Sequence, residues 1–216
     1  MAGVNPRLTT TTYAILGQLG WGEQTTYELV KAMGRNLRFI WPRAESRIYE
    51  EARRLVSSGL ATAREGRSGR RRRTTYAITE EGRQALRNWL AGEPEGIALE
   101  HGPLLRILLG RQARPEDLLA AVRVAREHAE KMLAVGAPLA QEYLDGRHAQ
   151  QQEVHLRSLT FDYLYRWALF NRDWADRTEA ELRRWRDTEP GAAKHRRALQ
   201  RIRDAVNHGL PPARAA

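Results

Sequence analysis

Apolar residues recur at helical spacing over residues 8–19, where Tyr13, Leu16 and Leu19 fall on one side, and Gly20 and Gly22 break the pattern. Thr25 or Thr26 then stands where a cap belongs, ahead of a second helix over 27–33 with Glu28 in its first turn and Gly34 behind it. The apolar strip Phe39-Ile40-Trp41-Pro42 leads into a third helix over 43–58, stopped by Gly59. Residues 60–65 and 74–79 are rich in threonine and alternate in character, which predicts two strands joined through Gly66-Arg67-Ser68-Gly69 and the arginines that follow. Thr79-Glu80-Glu81-Gly82 opens a fourth helix running to Leu90. Helix, helix, helix, strand, turn, strand, helix is the order of a winged helix-turn-helix.

The second half has longer periods. Gly92-Glu93-Pro94-Glu95-Gly96 is the best boundary, and Pro42, Pro94, Pro103, Pro115, Pro138 and Pro190 are expected to bound helical or compact segments. Residues 104–109 read as a short apolar helix. Pro115-Glu116-Asp117 opens a longer one in which Leu118, Val122, Ala125, Ala129 and Met132 keep a 4-3-4-3 spacing, the seam of a coiled-coil-like contact. A last long helix over 150–186 carries Leu156, Leu159, Tyr163, Trp167, Phe170, Trp174, Thr178, Leu182 and Trp185 as one apolar stripe. Alone, such a stripe would expose an interface-sized patch. A homodimer through Leu118, Val122, Met132, Leu159, Tyr163, Trp167, Phe170 and Trp174 is therefore expected, with packing inside one chain as the alternative. Trp167 and Trp174 are also candidates to line an effector pocket, although aromatics at this spacing more often form core. Residues 192–208 place Leu199, Ile202 and Val206 at helical spacing among cationic positions, a helix expected to brace the dimer, with contact to DNA as the alternative.

The expected architecture is mainly α with a small β-hairpin wing. Residues 1–91 form the winged helix-turn-helix, 92–103 a linker, 104–189 an antiparallel helical, coiled-coil-like dimerisation domain, and 190–216 a basic helix with a flexible tail.

Charge assigns a partner to the first domain. The 216 residues hold 36 Lys+Arg against 26 Asp+Glu, a formal net charge of +10. Residues 1–91 hold 16 against 8, and the remainder 20 against 18, so most of the excess lies in the first domain. Such concentration is the footprint of a polyanion binder. An arginine-rich composition (Lys31, Lys131 and Lys194 are the only lysines) would exchange Lys for Arg without gathering the imbalance in one half. With no cysteine, disulfide scaffolds, thiolate zinc sites, iron–sulfur clusters and cysteine nucleophiles are excluded. His148 and His155 lie seven apart and could share a helical face, but no carboxylate completes a metal set. There is no Gly-rich phosphate loop, Gly-x-Ser-x-Gly elbow or His-Glu-x-x-His, so neither an enzyme nor a cofactor is expected. The polar start Leu8-Thr9-Thr10-Thr11-Thr12-Tyr13 and the Arg106 that interrupts 104–109 give no signal peptide or membrane span, and a cytoplasmic protein is expected.

On a wheel of the third helix, Ile48, Ala52 and Leu55 share one side with Val56 nearby, while Arg43, Ser46, Arg47, Glu50, Arg53 and Arg54 spread over the other. Arginine is the commonest reader of guanine O6/N7, and N-terminal residues of such a helix reach base edges, which favours Arg43, Ser46 and Arg47. Arg53 and Arg54 suit phosphate. Glu50 can accept from cytosine or pair with Arg54 four residues on. A solvated charged face is the plain alternative for the helix alone. At the hairpin, Arg67, Arg70, Arg71, Arg72 and Arg73 gather five guanidinium groups in seven residues, expected at the tip, where phosphate or a narrow minor groove would offset their repulsion.

Trp41-Pro42, the segment from Ser46 to Leu55 with Tyr49 inside it, Gly59-Leu60, and Tyr76-Ala77-Ile78-Thr79-Glu80-Glu81-Gly82 resemble a PadR-family transcriptional regulator over residues 8–90. The resemblance implies a cytoplasmic prokaryotic homodimer, mostly of the repressor kind, whose C-terminal helices dimerise and whose effectors are phenolic or drug-like. It also implies that Tyr49 contacts backbone phosphate, and the flank of the wheel suits that role. Ala52 stands where a leucine is common in the family, and the wing is denser in arginine than the family requires. The expected function is a repressor that binds double-stranded DNA at an inverted repeat as a homodimer and is released by an effector. The rival is a protein-interaction adaptor whose winged helix binds no specific DNA.

Overall fold

The computed structural model describes residues 8–68 and 71–209. The chain forms two compact units, Met1–Ala98 and Leu99–Ala216.

In the first unit, threonines start three helices. Thr9 caps α1 (Thr10–Leu19): its hydroxyl accepts from the Thr12 amide at 3.2 Å, and the Thr12 hydroxyl accepts from the Thr9 amide at 3.1 Å. Thr25 ends a two-residue strand, β1 (Gln24–Thr25), and caps α2 (Thr26–Asn36), its amide donating to Glu28 Oε2 at 2.8 Å. The third helix, α3 (Glu45–Ser57), starts two residues later than expected. Its N-cap, Ala44, has extended backbone and no capping side chain, which leaves Arg43 outside the helix. Gly59, at φ +72°, takes the left-handed conformation after that helix.

The strands are longer than the threonine pattern predicts. β2 (Ala61–Ser68) and β3 (Arg71–Ile78) pair antiparallel over eight residues, and β1 adds to the other edge of β3, giving the order β1-β3-β2. The short β1 is absent from the sequence reading because two residues carry no periodicity. Thr79 closes the sheet and caps α4 (Glu80–Ala91), its hydroxyl donating to the Gly59 carbonyl at 2.8 Å and accepting from the Gly82 amide at 3.0 Å. Ile15, Leu16, Leu19, Leu29, Met33, Ile48, Ala52, Leu55, Ala61 and Tyr76 form the core. The expected inner face of the third helix is therefore the observed one.

In the second unit, α5 (Gly102–Leu108) precedes two long antiparallel helices, α6 (Pro115–Leu144) and α7 (Val154–Leu182), and then α8 (Ala192–Gly209). The boundary expected at Pro138 does not occur, because that residue lies inside α6. A proline removes one intrahelical hydrogen bond, and the rest of a 30-residue helix packed along its neighbour carries the break. Likewise α7 begins at Val154 after a single 3-10 turn, so His148, in the loop before that turn and stacked on Tyr143, shares no helical face with His155.

The single stripe expected on α7 is two seams. Ala168, Asn171, Ala175 and Leu182 face inward, with Trp174 and Trp185 packed against Leu118 and Val122. Leu156, Leu159, Tyr163 and Phe170 keep the same 3-4-7 step at a different phase and point outward, Leu159 being 70% exposed. On α6 the seam Leu118, Val122, Ala125, Ala129 and Met132 is buried as the spacing predicts. α8 docks through charge: Arg197 Nε lies 3.0 Å from Glu181, and Lys194 Nζ 2.6 Å from Asp187. The tail expected beyond Gly209 lies outside the described residues. No described helix is long and apolar enough to cross a membrane.

Gly82 gives a direct test of the first unit. A Cβ there would stand 2.1 Å from the Leu60 carbonyl oxygen and 2.9 Å from Ile78. Gly82→Ala should cost about 3 kcal/mol in chemical unfolding, the upper end for overpacking, because backbone must move. An unchanged midpoint would show that α4 does not close on the strand connection as described.

Candidate nucleic-acid interface

The outward face of α3 carries Ser46, Arg47, Glu50 and Arg53 in solvent, with Tyr49 and Arg54 half-buried on its flanks. Just ahead of it, the Arg43 guanidinium lies 4.1 Å from the centroid of the Trp41 ring. The Trp41 indole N–H donates to Thr11 Oγ1 at 3.0 Å, so the first turn of α1 fixes the ring that Arg43 rests on. Glu50 accepts from Arg47 NH1 at 3.1 Å, while Arg54 NH1 faces Glu51 at 3.8 Å.

Glu51 is the residue that the sequence reading missed. It is 1% exposed. Its Oε2 accepts from the Thr12 hydroxyl at 2.6 Å, and its Oε1 lies 2.9 Å from Arg47 NH2. The signal was present in the wheel: position 51 stands three residues after Ile48 and four before Leu55, so a carboxylate occupies a core phase.

The wing differs from the expected arginine-loaded tip. Arg67, Arg71, Arg72 and Arg73 all lie within the paired strands, and Arg70 lies outside the described residues. The strands continue because a ladder hydrogen bond needs no particular side chain, and solvated arginines do not oppose extended backbone. The register sets Arg67 directly opposite Arg72, two like charges at a cross-strand position, and Gly66 opposite Arg73. Opposed like charges destabilise a strand pair. Arg73 has a counter-charge in Glu28, 3.6 Å away, and Arg64 one in Glu23 at 3.0 Å. Among the described residues, Arg53, Arg67 and Arg72 make no ion pair. The head thus presents uncompensated guanidinium groups on both the helix and the strands.

The Glu28 carboxyl is held below its ordinary range, first by the Thr25 hydroxyl, then by the Thr25 amide, with Arg73 adding attraction against the opposing effect of burial. Because the ionised form is the bonded one, its stabilising contribution is complete above the ordinary glutamate range. That contribution fades as pH falls through the lowered value.

In the second unit, Trp167 stacks against Phe170 and lines an open groove of about 440 Å³ with Leu159, Tyr163 and Arg166. Trp174 does not join it, being packed in the inner seam with His101 edge-on. Leu118, Val122 and Met132 are buried.

Residues 15–88 match the model of the transcriptional regulator PadR-like family, and residues 103–183 match the model named virulence activator alpha C-term. The negative transcriptional regulator PadR of Bacillus subtilis (strain 168) is 34% identical over 79 residues, which cover 36% of this chain and 43% of that protein. The matched stretch therefore spans less than half of the relative. Among solved structures, smu.1604c from Streptococcus mutans UA159 superposes with a TM-score of 0.68 at 23% identity, covering 78% of this chain and 98% of that one. The B. subtilis PadR structure with operator DNA gives 0.64 at 20% identity over 81% and 99%, and the same protein with p-coumaric acid gives 0.59 at 20% identity over 81% and 99%. At these identities the superpositions establish a shared fold.

Relief of the opposed pair is measurable. Arg72→Thr, which keeps a β-branched residue in the strand, should raise the stability of the free protein by about 0.2–1 kcal/mol in thermal unfolding. A loss of stability would mean that Arg67 and Arg72 do not oppose one another.

Proposed function

We propose that this chain, which belongs to the PadR-like family of transcriptional regulators, is a sequence-specific DNA-binding repressor that acts as a homodimer and is released by a small-molecule effector. The observation that carries this reading is the shared exposure of the α3 arginines and the opposed Arg67–Arg72 pair. Repulsion between the wing guanidinium groups falls when phosphate comes between them. In this reading Arg43, Ser46 and Arg47 read base edges. Tyr49, Arg53 and Arg54 hold phosphate on either side, and Arg67, Arg70, Arg71, Arg72 and Arg73 follow the backbone or the adjacent minor groove.

The second copy belongs on the outward seam of α7. There Leu156, Leu159, Tyr163 and Phe170 remain exposed, while small residues such as Ala168 and Ala175 face inward. Leu118, Val122 and Met132 then serve by keeping α6 and α7 together rather than by touching the partner. Two heads related by a two-fold axis require half-sites about 34–36 Å apart, one helical turn, and so an inverted repeat. An effector that alters the α7 pairing would change that spacing. Trp167, in its groove, is our candidate effector contact, and the p-coumaric acid bound to B. subtilis PadR is the kind of flat molecule the groove suits. We assign the chain no catalytic activity.

Selection of bound duplexes from fragments of the source genome should yield an inverted repeat preferred over random DNA by about 10³ or more, with affinity falling steeply as salt rises. Arg47→Ala should relax one base pair per half-site at a cost of about 1–3 kcal/mol. Recovery of no preferred site would sink this reading and favour an adaptor. A second check is Phe170→Asp, which should shift the protein from dimer to monomer in sedimentation. A variant that stays dimeric would place the interface elsewhere.

A further inference from the structure

We propose that Glu51 is a positioning residue for base reading: its buried carboxylate, held from α1 by Thr12, fixes the Arg47 guanidinium and thereby sets which base that arginine reads. This rests on the DNA-reading role of Arg47 given above.

Three observations support it. Glu51 occupies a core phase of α3 and is 1% exposed, although a charge there costs desolvation and an apolar residue of like volume would serve packing as well or better. Its two oxygens are divided. Oε2 accepts from Thr12 Oγ1 at 2.6 Å, and Oε1 faces Arg47 NH2 at 2.9 Å. The Thr12 hydroxyl has one proton, committed to Glu51, so toward Thr9 it can only accept: from the amide at 3.1 Å and from the hydroxyl at 2.9 Å. Hydroxyl protons therefore run in one direction, Thr9 to Thr12 to Glu51, from the cap of α1 into the recognition helix. The third observation is the contrast between the two carboxylates on Arg47. Glu50 is 67% exposed at its side chain and Glu51 is 2%. A base arriving in the groove can displace an exposed carboxylate from the guanidinium, whereas the buried one has no solvent to move into. Glu51 thus holds one edge of the fork while Glu50 gives up the other, and bidentate pairing with guanine needs that orientation.

The test compares full-length Glu51→Gln, Thr12→Val, Glu50→Gln and Arg47→Ala on the selected duplex and on a random duplex pool, with thermal unfolding of each variant. Glu51→Gln should lower the selected-over-random ratio about tenfold or more, at the base pair that Arg47→Ala relaxes. Its affinity for random duplex should be equal or higher, and combining it with Arg47→Ala should add nothing. Thr12→Val, which leaves the carboxylate in place, should produce a smaller fall at the same base pair and decides the matter if Glu51→Gln does not fold. Glu50→Gln removes the same charge from the same arginine and should not reproduce the Glu51→Gln fall at the base pair that Arg47→Ala relaxes. The proposal is overturned if Glu51→Gln, or Thr12→Val in its stead, keeps wild-type preference while Arg47→Ala relaxes it. It is equally overturned if Glu51→Gln and Glu50→Gln change binding alike on all duplexes. A wild-type protein with no preferred site removes the premise, and this inference with it.

Discussion

A carboxylate placed among apolar side chains must be paid for in desolvation, and in the first unit that constraint organises the rest. Glu51 is tolerable inside the helix bundle because Thr12 donates to one oxygen and Arg47 faces the other. The first requirement ties α3 to the first turn of α1. The second draws a long cationic side chain back onto its own helix. Thr11, in the same turn, accepts from the Trp41 indole, and Trp41 supports Arg43. A run of threonines that looks like a mere helix start is thus the common footing of two outward arginines.

The wing obeys a different constraint. Its strands bring Arg67 and Arg72 face to face without a described counter-ion, while Glu28 and Glu23 hold the neighbouring Arg73 and Arg64. Fixed cations near the body and uncompensated cations farther out give a hairpin that is anchored at its base and repelled by itself toward its end. An anion relieves that repulsion. In the second unit the imbalance is of apolar surface rather than charge: Leu156, Leu159, Tyr163 and Phe170 of α7 face out, along a seam separate from the inward one that packs on α6. Each unit thus leaves something uncompensated at its surface, like charge in one and apolar area in the other.

The order of elements was legible because each signal is local. The cap at Thr25 or Thr26, the opening at Thr79, the stop at Gly59, and the Ile48–Ala52–Leu55 face are set within a few residues of themselves. What stayed hidden depends on partners far along the chain. Nothing local says that Thr12 will meet Glu51, 39 residues on, or that Trp41 will meet Thr11. Charge suggests a loop for the arginines of the wing, yet backbone pairing, indifferent to their side chains, carries the strands through them. Pro138 reads locally as a breaker, and only the packing of α6 along its neighbour outweighs it. The α7 stripe merged two seams because both step by threes and fours, and only the position of α6 separates their phases.

In the free protein Arg47 is already oriented by Glu51 before any DNA arrives. Nitrogen relaxation of arginine Nε–H groups in the free protein measures this directly. Arg47 should be ordered almost like rigid backbone, with an order parameter of about 0.8, while Arg53 on the same helix should fall below about 0.6. An Arg47 as mobile as Arg53 would contradict it.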